Sequence, residues 1–248
     1  MYLWKNNEII EWKGGGILKV FELSAKVYLT DNISADTMMG KIAKLIDNTL
    51  SITEEYLEFH KANYYKGYTF DGFYRVEPDG IYKEGRIYNF RIRTIDEKLA
   101  LYLEEKLTNN YTDEIKVLTV VKRVVPKKHI EKIYAITPVI IKNDEGYWRT
   151  HMNFDEYEHR LVVNLIKNYN FFTGEKIDEN FEMFKYIKFD NKKPIAVSYK
   201  DKISLLGDKI TAFVSENEKA QKLAYLALGV GLGENSSRGC GFCGYKYL

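Results

Sequence analysis

Gly229-Val-Gly-Leu-Gly-Glu-Asn-Ser-Ser-Arg-Gly-Cys-Gly-Phe242, close to the C-terminus, holds five of the chain's 17 glycines. Glycine at this density means backbone at positive φ or backbone brought close to something, at a cost in conformational entropy. Ser215 to Leu228 leads in as a helix, with an apolar stripe of Ala220, Leu223, Ala224, Leu226 and Ala227. Phe242 to Leu248 follows as a strand. Inside the loop, Asn235, Ser236, Ser237 and Arg238 add small hydrogen-bonding groups and a guanidinium to the backbone N–H groups expected around Gly231, Gly233, Gly239 and Gly241. Such a set suits a phosphate backbone. A flexible Gly/Ser hairpin with no ligand is the plain alternative.

Two nucleotide loops are excluded by context. A Walker loop ends in Gly-Lys-Ser/Thr, whereas Gly239 is followed by Cys240 and Gly241. A dinucleotide fingerprint needs a strand before it and a helix after it, and here that order is reversed.

Outside the loop, 248 residues suffice for one large or two ordinary domains. With 45% hydrophobic and 29% charged residues the chain reads as soluble and globular. Net charge is only +2, so basic character is local: six Lys/Arg lie between Lys116 and Lys132, against Glu131 alone. Lys122, Arg123, Lys127 and Lys128 are the core of that cluster and candidates for phosphate contact. Twenty tyrosines fit strands better than a base-stacking surface for most of them. The absence of a long apolar run and of a basic-then-apolar leader makes the cytoplasm the expected compartment and a membrane no partner. Cys240 and Cys243 form a Cys-x-x-Cys, but no helix opens on it and the histidines 60, 129, 151 and 159 are not nearby. They read as small buried side chains rather than redox or metal groups, and no metal or cofactor is expected.

In order, Met1 to Gly16 is a polar extension ended by Gly14-Gly-Gly16. Alternation of Phe21, Leu23, Ala25, Val27 and Leu29 marks a half-buried strand. Ser34 caps a helix with stripe Met38, Ile42, Leu45 and Ile46, and Ser51-Ile-Thr-Glu54 is a capping box for a short helix to about His60. Tyr68–Val76 and Arg86–Arg93 form a hairpin, Asp96 caps a helix through Leu99, Leu103 and Leu107, and Ile115–Val125 is a strand stopped by Pro126. The order recurs as strand Ile133–Ile141, helix Asn153–Tyr169, hairpin Phe181–Phe189 with Ile195–Val214 turning at Asn191–Pro194, helix and strand. The expected fold is therefore α+β: two tandem ferredoxin-like (βαββαβ) domains, residues 17–126 and 127–248, after an extension of residues 1–16.

The loop fits Gly-hydrophobic-Gly, five residues, Gly-hydrophobic-Gly as Gly231-Leu-Gly233, Glu234 to Arg238, Gly239-Cys-Gly241. In that place it resembles the CRISPR repeat-processing endoribonucleases, the sixth CRISPR-associated family of the RAMP superfamily. The likeness runs from about Leu18 and includes Phe59-His60, Lys66-Gly-Tyr-Thr-Phe70, Ile87-Tyr-Asn-Phe-Arg-Ile-Arg93 and Ile136-Thr-Pro-Val-Ile-Ile-Lys142. The resemblance implies cleavage of precursor CRISPR RNA within each repeat, without metal, leaving 2′,3′-cyclic phosphate and 5′-hydroxyl ends. It implies His60 and Lys66 as catalytic residues and repeat RNA as partner, and leaves room for other effector subunits and for a homodimer. Some members add a tyrosine from the first helix. No tyrosine lies between Ser34 and Leu50, which leaves Tyr56, Tyr64 and Tyr65 as replacements.

The residue types make chemical sense on their own. An imidazole can take or give the protons of 2′-OH attack, and a lysine ammonium can hold phosphorane charge. Alone, His60 reads as a polar helix-end residue. Two other readings stand beside the nuclease: a non-cleaving RNA-binding subunit of a CRISPR effector complex, and a Gly-looped α+β protein acting on a small molecule.

Overall fold

Strand β3 (Val20–Leu29) alternates as its sequence dictates, with Leu23, Ala25, Val27 and Leu29 buried and Ser24, Lys26 and Tyr28 exposed. The computed structural model describes residues 3–5, 8–10, 18–200 and 203–248. Ahead of β3 a short antiparallel hairpin pairs β1 (Leu3–Lys5) with β2 (Glu8–Ile10), so the expected plain extension carries structure. Gly14–Gly16 lies outside the described residues.

After β3 come β4 (Ile33–Ser34), α1 (Ala35–Leu50), α2 (Glu54–Lys61), β5 (Tyr68–Phe70), β6 (Ile81–Tyr82), β7 (Ile87–Thr94), α3 (Glu97–Leu107) and β8 (Ile115–Val125). The sheet runs β5-β7-β3-β8, all antiparallel. Met38, Ile42, Leu45 and Ile46 of α1 and Leu99, Leu103 and Leu107 of α3 cover one face, at the spacing of an amphipathic helix. Asp96 caps α3 through the Lys98 and Leu99 N–H groups. Two expected caps differ. Ser34 pairs with the Thr37 hydroxyl at 2.8 Å rather than with backbone. The capping box at Ser51–Glu54 does not form: α2 starts after Thr53, whose side chain makes no cap, because Ser51 Oγ bonds back to Asn48 O at 2.8 Å.

The second half repeats the order with β9 (Ile130–Ala135), α4 (Phe154–Thr173), β10 (Phe184–Phe189), β11 (Ile195–Lys200), β12 (Ile203–Gly207), β13 (Ile210–Val214), α5 (Glu218–Val230) and β14 (Cys243–Tyr247). Its sheet runs β10-β13-β9-β14, the same relative order as the first. The fold is thus a tandem ferredoxin-like arrangement, as expected. The hairpin forecast from Phe181 to Val214 is corrected in one respect: β10 pairs with β13, while β11 and β12 pair with each other as an inserted ribbon. Its Ser198 hydroxyl reaches Asp36 O of α1 at 3.5 Å. The strand forecast at Ile133–Ile141 begins earlier and ends at Ala135, since Pro138 has no N–H for the ladder.

Helix α5 is buried on all sides from Leu223 to Val230. It touches β9, β13 and β14 of its own sheet and β3, β5 and β7 of the other. Apolar residues all round a helix demand such a position. The Tyr225 hydroxyl donates to Val125 O (2.7 Å) and accepts from Val20 N–H (3.1 Å), tying α5 to the end of β8 and the start of β3.

A buried charge group lies nearby. Arg93, 1% exposed, donates Nε to Glu22 Oε2 and Nη1 to Cys243 O of β14, each at 2.6 Å, and stacks 4.4 Å over the Phe242 ring. Arg123 reaches the other Glu22 oxygen at 2.6 and 2.8 Å. Burial alone would raise the Glu22 carboxyl, but the two guanidiniums hold it below the ordinary glutamate range. Its stabilisation is therefore present above that range and lost as pH falls through the lowered value. Glu22→Gln, which leaves a buried guanidinium without its anion, is expected to cost about 3–5 kcal/mol in urea unfolding at neutral pH. The gap from the parent should shrink in acid; a loss near zero at neutral pH would mean that the group carries no net stability.

Candidate functional site

The glycine loop is a constraint of packing before it is anything else. At Gly241 (φ +67°) a Cβ would fall 1.9 Å from Leu232 O, and at Gly239 (φ +83°) 2.1 Å from Met39 Cε. Only glycine fits where the chain doubles back on itself and lies against α1 and β5. Leu232 N–H donates to Gly241 O at 2.9 Å, Glu234 N–H to Ile140 O at 2.8 Å, and Gly241 N–H to Pro138 O at 2.8 Å. The N–H groups of Gly231 and Gly239 go to Ala227 O and Ser236 O, both at 2.9 Å. The expected row of free N–H groups is corrected accordingly: that of Gly231 closes α5, that of Gly239 turns the loop, and that of Gly241 ties it to the segment after β9. The accessible part is Glu234–Arg238. There Asn235 takes φ +60° and its Nδ2 is buried without an acceptor.

Arg238 leaves this segment toward α1, where its Nη1 meets Asp47 Oδ2 at 2.6 Å. Asp47 Oδ1 lies 3.3 Å from His60 Nδ1 at the end of α2. One carboxylate, 24% exposed, thus joins α1, α2 and the loop. Asp47 and Arg238 also line a groove with Met39, Ala43, Lys44 and Ser198, between α1 and the inserted ribbon. Sequence reading missed Asp47, which sits on the polar side of an ordinary amphipathic helix and has no motif to mark it.

Lys66 closes the same corner. Its Nζ donates to Phe59 O, to His60 O at 3.0 Å and to Ala62 O at 2.6 Å, capping the C-terminal end of α2. A cation there meets the negative end of the helix dipole. Burial, followed by the Arg238 charge, pulls the ammonium down to about 8, with Asp47 opposing. His60 and Lys66 are therefore neighbours through the helix end that both occupy.

The remaining sequence-selected residues separate. Neighbours on a strand face opposite ways, so Lys122 pairs with Glu104 of α3 at 2.6 Å while Arg123 turns to Glu22 on the other face. Lys127 and Lys128 lie 5.8 Å from the rings of Tyr225 and Tyr247. The expected basic cluster is not one patch, and the Arg238 site lies on the helix-covered side of the first sheet, away from Arg123. Tyr56 stacks on Tyr102 at 3.8 Å, and Tyr64 and Tyr65 pack on Phe171. Burial pushes the Tyr64 phenol up to about 12. Tyr68, which the sequence did not single out, is buried on β5, and burial together with the Asp47 charge raises its phenol. Cys240 and Cys243 are buried, and burial pushes both thiols up to about 12. His151 faces Glu145 at 3.1 Å and His159 lies 64% exposed beside Glu179.

Among the described residues, no helix is long and apolar enough to cross a membrane. No curated protein sequence matches the chain at a significant level. Solved structures share its fold. One of a CRISPR associated protein Cas6 has TM-score 0.70 at 20% identity, covering 92% of this chain and 99% of its own. A RAMP protein binding different RNA substrates has TM-score 0.67 at 14% identity, over 91% and 99%. A Cas6-related protein from Pyrococcus furiosus has TM-score 0.66 at 15% identity, over 92% and 98%. The family model for CRISPR associated protein Cas6, C-terminal, matches residues 121–245, the half that carries α5, the loop and β14. A match over half its length, on the segment that builds this corner, means that the chain belongs to the Cas6 family, the CRISPR-associated proteins that process or bind CRISPR RNA.

Proposed function

We propose that this protein is an endoribonuclease that cuts precursor CRISPR RNA within its repeats without a metal ion. The observation that carries the reading is the meeting of His60, Lys66 and Arg238 around Asp47, beside a groove floored by α1. In the reaction the 2′-oxygen attacks its own phosphorus and the bond from phosphorus to the 5′-oxygen breaks. The products are a 2′,3′-cyclic phosphate and a 5′-hydroxyl. One proton leaves the 2′-OH and one is given to the 5′-oxygen, and an imidazole serves either step. Arg238 grips phosphate and Lys66 contributes positive charge to the crowded phosphorane, a role that needs no metal. In this reading residues 17–126 carry the catalytic pair, residues 127–248 supply the loop, and the protein works in the cytoplasm on repeat RNA. Asn235, Ser236 and Ser237 offer further polar groups, while Lys127 and Lys128 act on RNA away from the cut bond. RNA as the ligand is supported by what the RAMP protein of similar fold binds.

One feature favours a second reading, a non-cleaving RNA-binding subunit: all three Lys66 donors are engaged by the end of α2. A labelled repeat RNA incubated with the protein in EDTA separates the two. Cleavage with a cyclic phosphate end is expected to persist in the chelator. Loss of cleavage, restored by magnesium, would reject the mechanism, and binding without any cleavage would establish the second reading.

For the catalytic pair, His60→Ala should lower the single-turnover rate at saturating enzyme by roughly 10²-fold or more, and Lys66→Ala by about 10²–10³. Affinity should change little, since two side chains are a small share of the phosphate contacts. The charged form of Lys66 exists below its lowered value and is lost above it, so the parent rate should decline as pH rises through about 8. A His60→Ala protein cutting at the parent rate would remove His60 from the chemistry, and a flat profile between pH 7 and 9 would remove the Lys66 charge.

If Arg238 and the scattered lysines hold phosphates, affinity must fall steeply with salt. Arg238→Ala is expected to weaken matched and unmatched RNA alike and to reduce the salt slope by about 1. Salt-indifferent binding would place the RNA elsewhere on the protein.

A further inference from the structure

The Asp47 carboxylate has two oxygens, and each faces a nitrogen from a different element. Oδ2 lies 2.6 Å from Arg238 Nη1, and Oδ1 lies 3.3 Å from His60 Nδ1. A guanidinium only donates, so Oδ2 must accept. Oδ1 is likewise an acceptor, so the stable partner for it is His60 Nδ1 carrying its hydrogen. The hydrogen on Nδ1 leaves Nε2 with the lone pair of the neutral ring. The backbone supports this orientation, because His60 O is itself held by Lys66 Nζ at 3.0 Å. Helix α1 supplies the anion, α2 the imidazole and the glycine loop the guanidinium, so a shift in any of them is felt by the other two.

We propose that Asp47 is the positioning residue of this site: it fixes the His60 tautomer with Nε2 turned to the reacting oxygens, and through Arg238 it makes that orientation depend on the seating of the glycine loop. The inference rests on the nuclease reading above and assigns a role to a residue outside its acid–base and phosphate-binding groups. Asp47 touches neither the RNA nor the transferred proton. It acts through His60, as a carboxylate behind an imidazole does in hydrolytic triads.

The two-acceptor arrangement gives an unusual test. An amide at position 47 has one oxygen and one NH2. In Asp47→Asn the oxygen can serve Arg238 or His60 but not both, and the NH2 then faces the other nitrogen. With Arg238 holding the oxygen, the NH2 favours the opposite His60 tautomer. With Arg238 removed, the oxygen is free to turn to Nδ1. Four full-length variants are compared in EDTA at saturating enzyme: Asp47→Asn, Asp47→Glu, Arg238→Ala and the Asp47→Asn/Arg238→Ala pair. His60→Ala serves as the reference, and thermal midpoints are measured for all.

Asp47→Asn is expected to lower the single-turnover rate by about ten- to a hundredfold, with a smaller effect on RNA affinity than Arg238→Ala. Asp47→Glu should recover most of the rate. In the Arg238→Ala background the Asp47→Asn substitution should cost several-fold less than it does alone, a coupling that a purely structural role would not produce. The 15N spectrum of histidine-labelled protein should show a protonated Nδ1 and a free Nε2 at His60 in the parent, and the reverse or a mixture in Asp47→Asn.

A slow His60→Ala protein beside an Asp47→Asn protein of parental rate would overturn the positioning role and leave the nuclease reading intact. The positioning role falls equally if Asp47→Asn lowers only the thermal midpoint, if its cost is equal with and without Arg238, or if the histidine spectrum is unchanged. A His60→Ala protein that cuts normally would remove the nuclease assignment of His60, and the role of Asp47 with it.

Discussion

Helix α5 cannot be exposed on any side. From Leu223 to Val230 every residue is buried, and it meets both sheets at once. Moving a leucine such as Leu223 or Leu226 from water to this position contributes about 1.5–3 kcal/mol, so the two halves are held around one shared helix. The consequence reaches beyond stability. Where α5 stops, the chain has to leave a crowded junction, and the glycine loop is its exit. Because α5 lies against β3, β5 and β7, the loop emerges beside β5 and α1 of the first half, although it belongs by sequence to the second. The site is formed by that crossing.

Electrostatics then fixes what packing brings near. Two acids carry the junction. Glu22 answers Arg93 and Arg123 on the face of the first sheet turned toward β14, and Asp47 answers Arg238 and His60 on the helix side. The first is nearly sealed from water, and its anion persists because two guanidiniums outweigh the cost of burial. The second is about one quarter exposed, where the same chemistry is weaker. The two groups differ in depth: the deep one is sealed into the architecture, and the shallow one is open to solvent. Lys66 stands between these cases, half-buried, with its ammonium on the carbonyl end of α2 and its charge weakened by burial and by Arg238.

The sequence carried the architecture because periodicity is local. Leu23, Ala25, Val27 and Leu29 alternate, Met38, Ile42 and Leu45 recur at helical spacing, and Asp96 precedes a helix that it caps. Each pattern needs only its own neighbours. Where several partners compete, near or far along the chain, a local pattern does not choose among them. Phe181–Phe189 with Ile195–Val214 reads as one hairpin, whereas β11 pairs with its immediate neighbour β12 and β10 reaches past both to β13. The Ser51 capping box matched a motif, but its serine bonds backward to Asn48. The basic run from Lys122 to Lys128 reads as one patch in sequence, yet strand alternation and the turn after β8 scatter it.

What the sequence determined by itself was the order of elements, the stripes that face the core, the place of the glycine loop, and His60 and Lys66 as a pair six residues apart. The elements, the stripes and the loop follow from backbone periodicity and from the rarity of glycine runs; the pair follows from the resemblance to the repeat-processing family. Tertiary structure alone decided the use of Gly231, Gly239 and Gly241, whose N–H groups close α5, turn the loop and tie it to the segment after β9, while Gly239 and Gly241 must press against Met39 and Leu232. It alone joined Asp47 to Arg238, residues 191 positions apart. A carboxylate on the polar side of a helix looks like any solvated charge until folding sets a guanidinium and an imidazole against its two oxygens. Charge pairing depends on distance in space, and sequence spacing carries no record of it.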